Sequence, residues 1–495
     1  MSAVRVAIVG GGVSGLVAAY RLRQRLGPDA VLTVYEQSDV PGGKLRTVPL
    51  AEAPVDVGAE AFVLRNPAAL RLAEELGLDV VHPARSAATV HTAGHTVPLP
   101  KRTFLGVPAD PGEVAGVLSA DGHAHVAAES SLPPLTLTGD RAVGEVLAER
   151  FGRELVDTLV EPLLGGVYAG RADRLGLRAT MPPLVAALDA AGGSLTAAAA
   201  RVLGAGTSSG APIFGAFPGG MATLIDALTR RSAAEIRLGS PVTALCPDGA
   251  LQDVQRPEGS LRGTERPEGT LHGSKRGRWR IEVGSPGRSS TGWADAVVVA
   301  VPAPAARRLL ADVAPAASDA YATIEVGSMA VVSLALPPDA ELPGSSGVLL
   351  GVGQHHANGT PFTAKAFTYT STKWGGHDGE PVRLRSSVGR AGDTTTLRRD
   401  DDALVADVLA DLAELTGVTA APLAWTVTRW GGGLPQYGVG HADAVAAIER
   451  AVADVPGLAV AGAVFRGVGI PACVDTATAA AERVADHLLG HAHHA

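Results

Sequence analysis

A chain of 495 residues exceeds what one hydrophobic core serves, so two or three domains are expected. It is 46% hydrophobic, with 61 Gly and 34 Pro spread along it, a composition that excludes a disordered chain and reads as globular with many turns. With 42 basic and 50 acidic side chains the net charge is −8, which argues against nucleic acid as a general partner; an anionic substrate would need a local basic patch.

The chain opens on Val4-Arg5-Val6-Ala7-Ile8-Val9, an apolar run of β-branched residues. It passes into Gly10-Gly11-Gly12-Val13-Ser14-Gly15 and then into an Ala/Leu-rich helical pattern. Gly10, Gly12 and Gly15 match G-x-G-x-x-G between a predicted strand and a predicted helix. The first glycine permits the tight turn, the second lets backbone approach a pyrophosphate, and the third lets helix and strand pack closely. The helix N-terminus then presents free N–H groups to phosphates. A second strand, Val31-Leu32-Thr33-Val34-Tyr35, ends in Glu36. An acid about 20 residues past the glycines is placed to accept from ribose hydroxyls, so a dinucleotide is expected.

Next comes Gln37 and a loop with Gly42-Gly43-Lys44-Leu45-Arg46, which in a flavoprotein passes the flavin side of the dinucleotide. Val55-Asp56-Val57-Gly58-Ala59-Glu60-Ala61-Phe62 reads as a short strand ending in small residues, suited to backbone lying flat against a ring. A helix is predicted over 66–78 and a hairpin over 90–100. Residues 110–206 are mostly helical, punctuated by Pro133-Pro134, Pro162 and Pro182-Pro183. A helix follows Phe217-Pro218-Gly219-Gly220, and 236–245 reads as a strand pair returning to the nucleotide domain. Residues 256–263 and 266–273 are a near-exact tandem repeat, read as a duplicated hairpin tip without a catalytic role. Strands are predicted at 279–283 and 294–302, the latter rejoining a parallel sheet. Further strands are predicted at 330–336, 347–351, 364–370 and 383–388, flanked by helices at 304–312 and 400–416. The chain closes with a helix over 441–454, a strand over 458–463, a Gly-rich turn and a helix reaching about Leu489.

Cys246 and Cys473 lie far apart and read as free thiols in a reducing compartment, not as a disulfide or metal framework. No secretory signal or run of 18 apolar residues is visible, so a cytoplasmic location is expected, with peripheral membrane contact left open. His491, His493 and His494 read as a frayed tail, and no metal site is expected.

Several of these segments resemble one family, the FAD-dependent protoporphyrinogen/coproporphyrinogen oxidases of haem synthesis, within the amine-oxidase-like flavoproteins. The glycine turn, Glu36, Gly42-Gly43-Lys44 and Gly58-Ala59-Glu60 are shared with amine oxidases and desaturases. More specific are Glu161 to Gly170 with Leu177-Arg178-Ala179, Lys365-Ala366-Phe367 through Lys373-Trp374, Arg429-Trp430 through Tyr437, and Gly467 to Pro471. The resemblance covers nearly the whole length.

It implies an α/β fold: a Rossmann-like FAD-binding domain (1–70, 207–302 and 426–495), a sheet-rich substrate domain (71–109 and 303–425) and a helical insertion (110–206). It implies FAD bound by Gly10, Gly11, Gly12, Val13, Ser14, Gly15, Glu36, Gln37, Gly43, Lys44, Gly58, Ala59, Glu60, Ala61, Val242, Trp430, Val468, Gly469 and Ile470. The substrate it implies is a porphyrinogen, oxidised in three two-electron rounds with dioxygen as acceptor and hydrogen peroxide as by-product. No catalytic side chain is named, because the cofactor carries the chemistry. Ser346, Gly347, Leu349 and Phe367 are expected to line the pocket, and Arg46, Arg171 and Arg178 are candidates for the propionates. Several relatives carry a basic residue before the 90–100 hairpin; here that stretch is Ser86-Ala87-Ala88-Thr89, so that anchor is lost, moved or supplied by Arg85.

The lack of an obvious membrane-inserting face and the Lys-poor, Ala/Gly/Arg-rich composition, typical of GC-rich bacteria, favour coproporphyrinogen III over protoporphyrinogen IX. A flavin amine oxidase or carotenoid-type desaturase stays open, as do contact with a downstream haem enzyme and the oligomeric state.

Overall fold

The computed structural model describes residues 3–84, 87–204, 212–247, 279–285, 288–376, 379–393 and 395–492. The tandem repeat at 256–273, Arg85 with Ser86, and His493 with His494 lie outside the described residues.

Five short strands form a parallel sheet in the order Glu235–Arg237, Val31–Tyr35, Arg5–Val9, Ala296–Val299, Leu458–Val460. The inner strands are continuous apolar runs, as strands covered on both faces must be. One face packs against the helices Val13–Leu26, Ala222–Ser232 and Ile470–Ala492. Small side chains at Ala18, Ala19, Ala477 and Ala481 let the first and last helices lie close together. The other face is covered by a three-stranded antiparallel sheet (Val242–Pro247, Trp279–Ser285, Arg288–Ala294) and the helices Ala303–Leu310, Pro315–Ala322 and His441–Ala453. The expected strand pair over 236–245 therefore divides, Glu235–Arg237 joining the parallel sheet and Val242–Pro247 the antiparallel one.

A second, seven-stranded sheet runs Ala424–Pro435, Val326–Leu336, Val382–Val388, Ala364–Thr368, Gly347–Leu350, Thr89–Thr92, His95–Pro98. It is antiparallel except where Gly347–Leu350 meets Thr89–Thr92. The strand Ala424–Pro435 crosses the boundary expected at 425/426: Ala424 to Trp430 and Leu434 to Pro435 pair along Val326–Leu336, with Gly431 to Gly433 at the bulge between them. The strand expected over 364–370 ends at Thr368 and gives way to a short helix, Thr370–Trp374.

The two faces of this sheet differ. Ala330, Val332, Leu334, Val348, Phe367, Leu384 and Val388 form a core closed by Leu404, Val405, Val408 and Leu412 of the helix Asp401–Thr416. The alternate residues, including Leu349, Thr368, Arg385, Ser387 and Trp430, point the other way and are only half-buried.

The helical segment has its own core, built on Val143, Val146, Leu147, Phe151, Leu155, Leu164, Leu184 and Leu195. Pro162 does not break it. A π turn at Val156–Val160 leads directly into the helix Glu161–Tyr168, with the proline in its first turn, where its missing N–H is no loss. Leu349 of the sheet and Val468 of the C-terminal Gly-rich turn both pack on this helical core. No single helix among the described residues is long and apolar enough to cross a membrane; one pair bent by 115°, Pro182–Ala191 with Leu195–Leu203, passes by length and composition.

Candidate active site

The three glycines of the first turn answer to different neighbours. A Cβ on Gly15 would stand 1.8 Å from the Gly10 carbonyl oxygen, and one on Gly10 (φ +107°) 2.4 Å from the Ala300 carbonyl oxygen. Both are glycine because the protein's own backbone leaves no room. Gly12 is different: a Cβ there would meet only the Gly43 Cα, at 3.9 Å. No neighbour demands glycine at this position, which is what a backbone reserved for a pyrophosphate looks like. Gly12 caps the helix Val13–Leu26 without any side-chain hydrogen bond, leaving first-turn N–H groups for an anion.

Glu36 is buried, and its two carboxylate oxygens accept from the Gly11 N–H (2.7 Å) and the Ser38 N–H (2.8 Å). Each oxygen keeps a lone pair for a ribose hydroxyl. The Ser240 N–H bonds the Glu36 carbonyl at 2.7 Å, which brings Val242 near the same point. Gln37 is exposed. Opposite the turn, Cys473 reaches Ser14, so the N-terminal turns of the first and last helices sit side by side, with Gly469 and Ile470 there. Cys246 and Cys473 are both free thiols.

Gly43 approaches Gly12, and Lys44 follows with no hydrogen-bond partner among the described residues. Burial pulls its ammonium below the ordinary value. The Trp430 indole N–H donates to the Val57 carbonyl (2.9 Å), and a Cβ on Gly58 would lie 2.0 Å from the Lys44 carbonyl oxygen and 3.2 Å from the indole. Lys44, Gly58, Ala59 and Trp430 thus form one wall, although Trp430 comes from the second sheet. The bare Gly12 backbone, the uncapped helix start, the part-free Glu36 and the unpartnered Lys44 fit FAD, whose diphosphate, ribose and ring need those features in that order.

Glu60 sits beside this wall but turns to the second sheet. Its carboxylate, 7% exposed, pairs with Arg385 at 2.8 Å and with Lys373. Burial pushes its carboxyl up, but Arg385 and Lys373 outweigh burial and hold it below its ordinary value. Arg385 also donates to the Gly58 carbonyl at 2.7 Å. Glu60 therefore ties two parts of the molecule together, a role its place in the motif did not disclose. Ala61 is half-buried next to it.

The expected pocket residues do not share a surface. Leu349 points toward the helical core, whereas Phe367, 2% exposed, lies on the opposite face beneath the helix Asp401–Thr416. Pairing explains this: Val348, not Leu349, stands across from Phe367. Gly347 has its Cβ direction blocked by the Phe367 carbonyl at 2.2 Å, and Ser346 accepts from the Tyr369 N–H (3.0 Å) through its carbonyl. Of the three arginines, Arg178 has its guanidinium engaged by the carbonyls of Leu137 (2.9 Å) and Gly139 (3.2 Å). Arg46 is exposed. Arg171 lines a cleft of about 590 Å³ with Arg174, Gln436 and His441.

Sequence reasoning named Arg171 for a propionate but gave no role to Lys365, Arg390 or Glu161, charges that meet where sheet and helical segment join. Lys365 is buried (6% exposed), Arg390 bonds Glu161 at 3.1 Å, and Arg171 adds to their field. Glu161 is supplied by the helix after the π turn and also accepts from the Ala172 N–H. Partners so distant along the chain leave no local signal.

A family model for flavin containing amine oxidoreductase matches residues 13–485. The coproporphyrinogen III oxidase of Mycobacterium tuberculosis is 40% identical, covering 97% of each chain. That of Bacillus subtilis is 29% identical, covering 98% of each. Among solved structures, a protein assigned as a protoporphyrinogen oxidase from Exiguobacterium sp. 255-15 superposes with a TM-score of 0.78 at 29% identity, covering 98% of this chain and 99% of that one. Cyclohexylamine oxidase from Brevibacterium oxydans IH-35A, at 16% identity, shares the fold over 98% of this chain and all of that one, TM-score 0.66. A dinucleotide cradle of this design, inside a family model spanning nearly the whole chain, places the protein among the flavin-containing amine oxidoreductases, as an FAD-dependent oxidoreductase.

Proposed function

We propose that this enzyme oxidises coproporphyrinogen III to coproporphyrin III in haem synthesis. The observation that carries the reading is the 40% identity to the Mycobacterium tuberculosis oxidase over 97% of both chains. Bound FAD supplies a two-electron acceptor that passes its electrons to dioxygen. Six electrons and six protons leave the macrocycle in all, and three molecules of dioxygen become three of hydrogen peroxide.

The chain's own residues bind, orient and insulate. Gly10 to Gly15 with the following helix start receive the diphosphate, and Glu36 the ribose. Lys44, Gly58 and Trp430 wall the ring, with Val468 to Ile470 opposite. Arg385 fixes the Gly58 carbonyl, so the wall cannot drift from the sheet. The half-buried face carrying Leu349 and Thr368 is the surface on which the macrocycle would rest. No side-chain base is required in this reading.

The test is porphyrin fluorescence under air, with flavin-loaded protein given coproporphyrinogen III or protoporphyrinogen IX. Rapid emission with the first and little with the second is the expected result. The reverse would make the protein a protoporphyrinogen oxidase, the reading favoured by the name of the Exiguobacterium relative. No emission with either would remove porphyrinogens and leave amines and carotenoids.

A further inference from the structure

Lys365 presents an unusual situation. It lies on the strand Ala364–Thr368 at a β-bulge between Ala364 and Ala366, and bulges re-aim side chains. The bulge is anchored from below by Asp411, which accepts from the Thr363 N–H (2.9 Å) and the Ala364 N–H (2.7 Å) and pairs with His356 at 2.6 Å. The Lys365 ammonium has no hydrogen-bond or ion-pair partner among the described residues, although the side chain is more than nine-tenths buried. A buried, unpaired ammonium is costly, and natural chains pair such groups or neutralise them.

The charge that bears on Lys365 is another cation, Arg390, whose guanidinium lies against Gly165 of the helix Glu161–Tyr168 and bonds Glu161. Arg171, on the loop after that helix, adds a third positive charge and has no acidic partner among the described residues. Lys365 and Arg390 thus stand together with one carboxylate, Glu161, which Arg390 pairs, and the exposed Arg171 adds to the field at Arg390, in a seam between sheet and helical segment in a chain of net charge −8. The chain has gathered positive charge here against its own mean field, an arrangement suited to receive an anion.

We propose that Lys365, supported by Arg390 and Arg171, is a carboxylate-binding site that takes one propionate of the tetracarboxylate macrocycle. This rests on the coproporphyrinogen reading. Arg390 and Arg171 keep their charge at any working pH, while Lys365 can lose its proton. Burial first, and Arg390 second, pull its ammonium down to about 7. An arriving carboxylate reverses that balance and draws the proton back, so binding tightens as the lysine is charged. Asp411, His356 and His91 belong to the opposite, helix-covered side of the bulge, Glu161 is the acid that pairs with Arg390, and Glu325 and Asp443 line the cleft at Arg171.

The experiment is fluorescence titration of flavin-loaded protein with coproporphyrin III, together with KM and kcat for coproporphyrinogen III. Lys365→Met is expected to weaken binding and raise KM by about tenfold or more, with kcat changed less than about threefold. Wild-type affinity should fall as pH rises between about 6 and 9, and Lys365→Arg should bind without that fall. Unchanged affinity in Lys365→Met, or the same pH curve in Lys365→Arg, overturns the inference. If Lys365→Met loses its flavin, the wild-type and Lys365→Arg pH curves decide alone, and a flat wild-type curve also overturns it. A wild type that neither binds nor oxidises the coproporphyrin pair defeats the functional reading as well; an active wild type with an unaffected Lys365→Met defeats this inference alone.

Discussion

At the scale of single residues, the glycine turn separates what the fold needs from what the cofactor needs. Gly15→Ala would drive a methyl to 1.8 Å from the Gly10 carbonyl, so helix and strand must part. We expect a loss of about 3 kcal/mol or more, seen as a lowered melting temperature with or without flavin. Gly12→Ala has open space, with Gly43 Cα at 3.9 Å. Its flavin-free form should melt as the wild type does, while FAD binding weakens by about tenfold or more, roughly 1.4 kcal/mol. Equal loss of apo stability in both variants would mean Gly12 is structural and the pyrophosphate lies elsewhere. The glycines, Glu36 and the strand–turn–helix order were legible because they are local sterics, written within some thirty-five residues. The grouping of Lys365, Arg390 and Glu161 was not, because their segments lie far apart along the chain and only folding makes them neighbours.

Among elements, alternation along a strand is readable but register between strands is not. The strands carrying Leu349 and Phe367 were both expected, yet the pairing of Val348 with Phe367 puts the two residues on opposite faces. The bulge beside Lys365 was likewise hidden, since its anchor Asp411 lies on a helix more than forty residues downstream. Asp411 is buried and satisfies two backbone N–H groups and His356 at once. Asp411→Ala orphans those donors and should destabilise the protein by about 2–4 kcal/mol. Asp411→Asn keeps one acceptor oxygen and should lose less. Thermal denaturation gives the ranking, and faster hydrogen exchange at Thr363 and Ala364 locates it. Unaltered exchange there in Asp411→Ala would show that the bulge holds without its anchor, and the route from this helix to Lys365 would fall.

Across the whole molecule, the site exists only where the parallel sheet, the seven-stranded sheet and the helical segment meet, and few contacts set that meeting. Glu60 is one, reaching from the nucleotide-binding part to Arg385 and Lys373 on the second sheet, while Arg385 returns a hydrogen bond to Gly58. The pair of cations holds the Glu60 carboxyl below its ordinary value although burial alone would raise it. A carboxyl whose folded pKa lies below its unfolded one stabilises the fold fully above the unfolded value, and that contribution drains away as pH falls through the folded one. The wild type should therefore lose stability, followed by flavin release on heating, as pH drops below about 5. Glu60→Gln leaves two half-buried cations facing a neutral amide and should cost about 2 kcal/mol near neutral pH. Its acid limb should be shallower, because the titrating group is gone, so the two curves converge as pH falls. Parallel curves would mean that the Glu60 pKa does not fall on folding, and that other contacts hold the Gly58 wall against the second sheet.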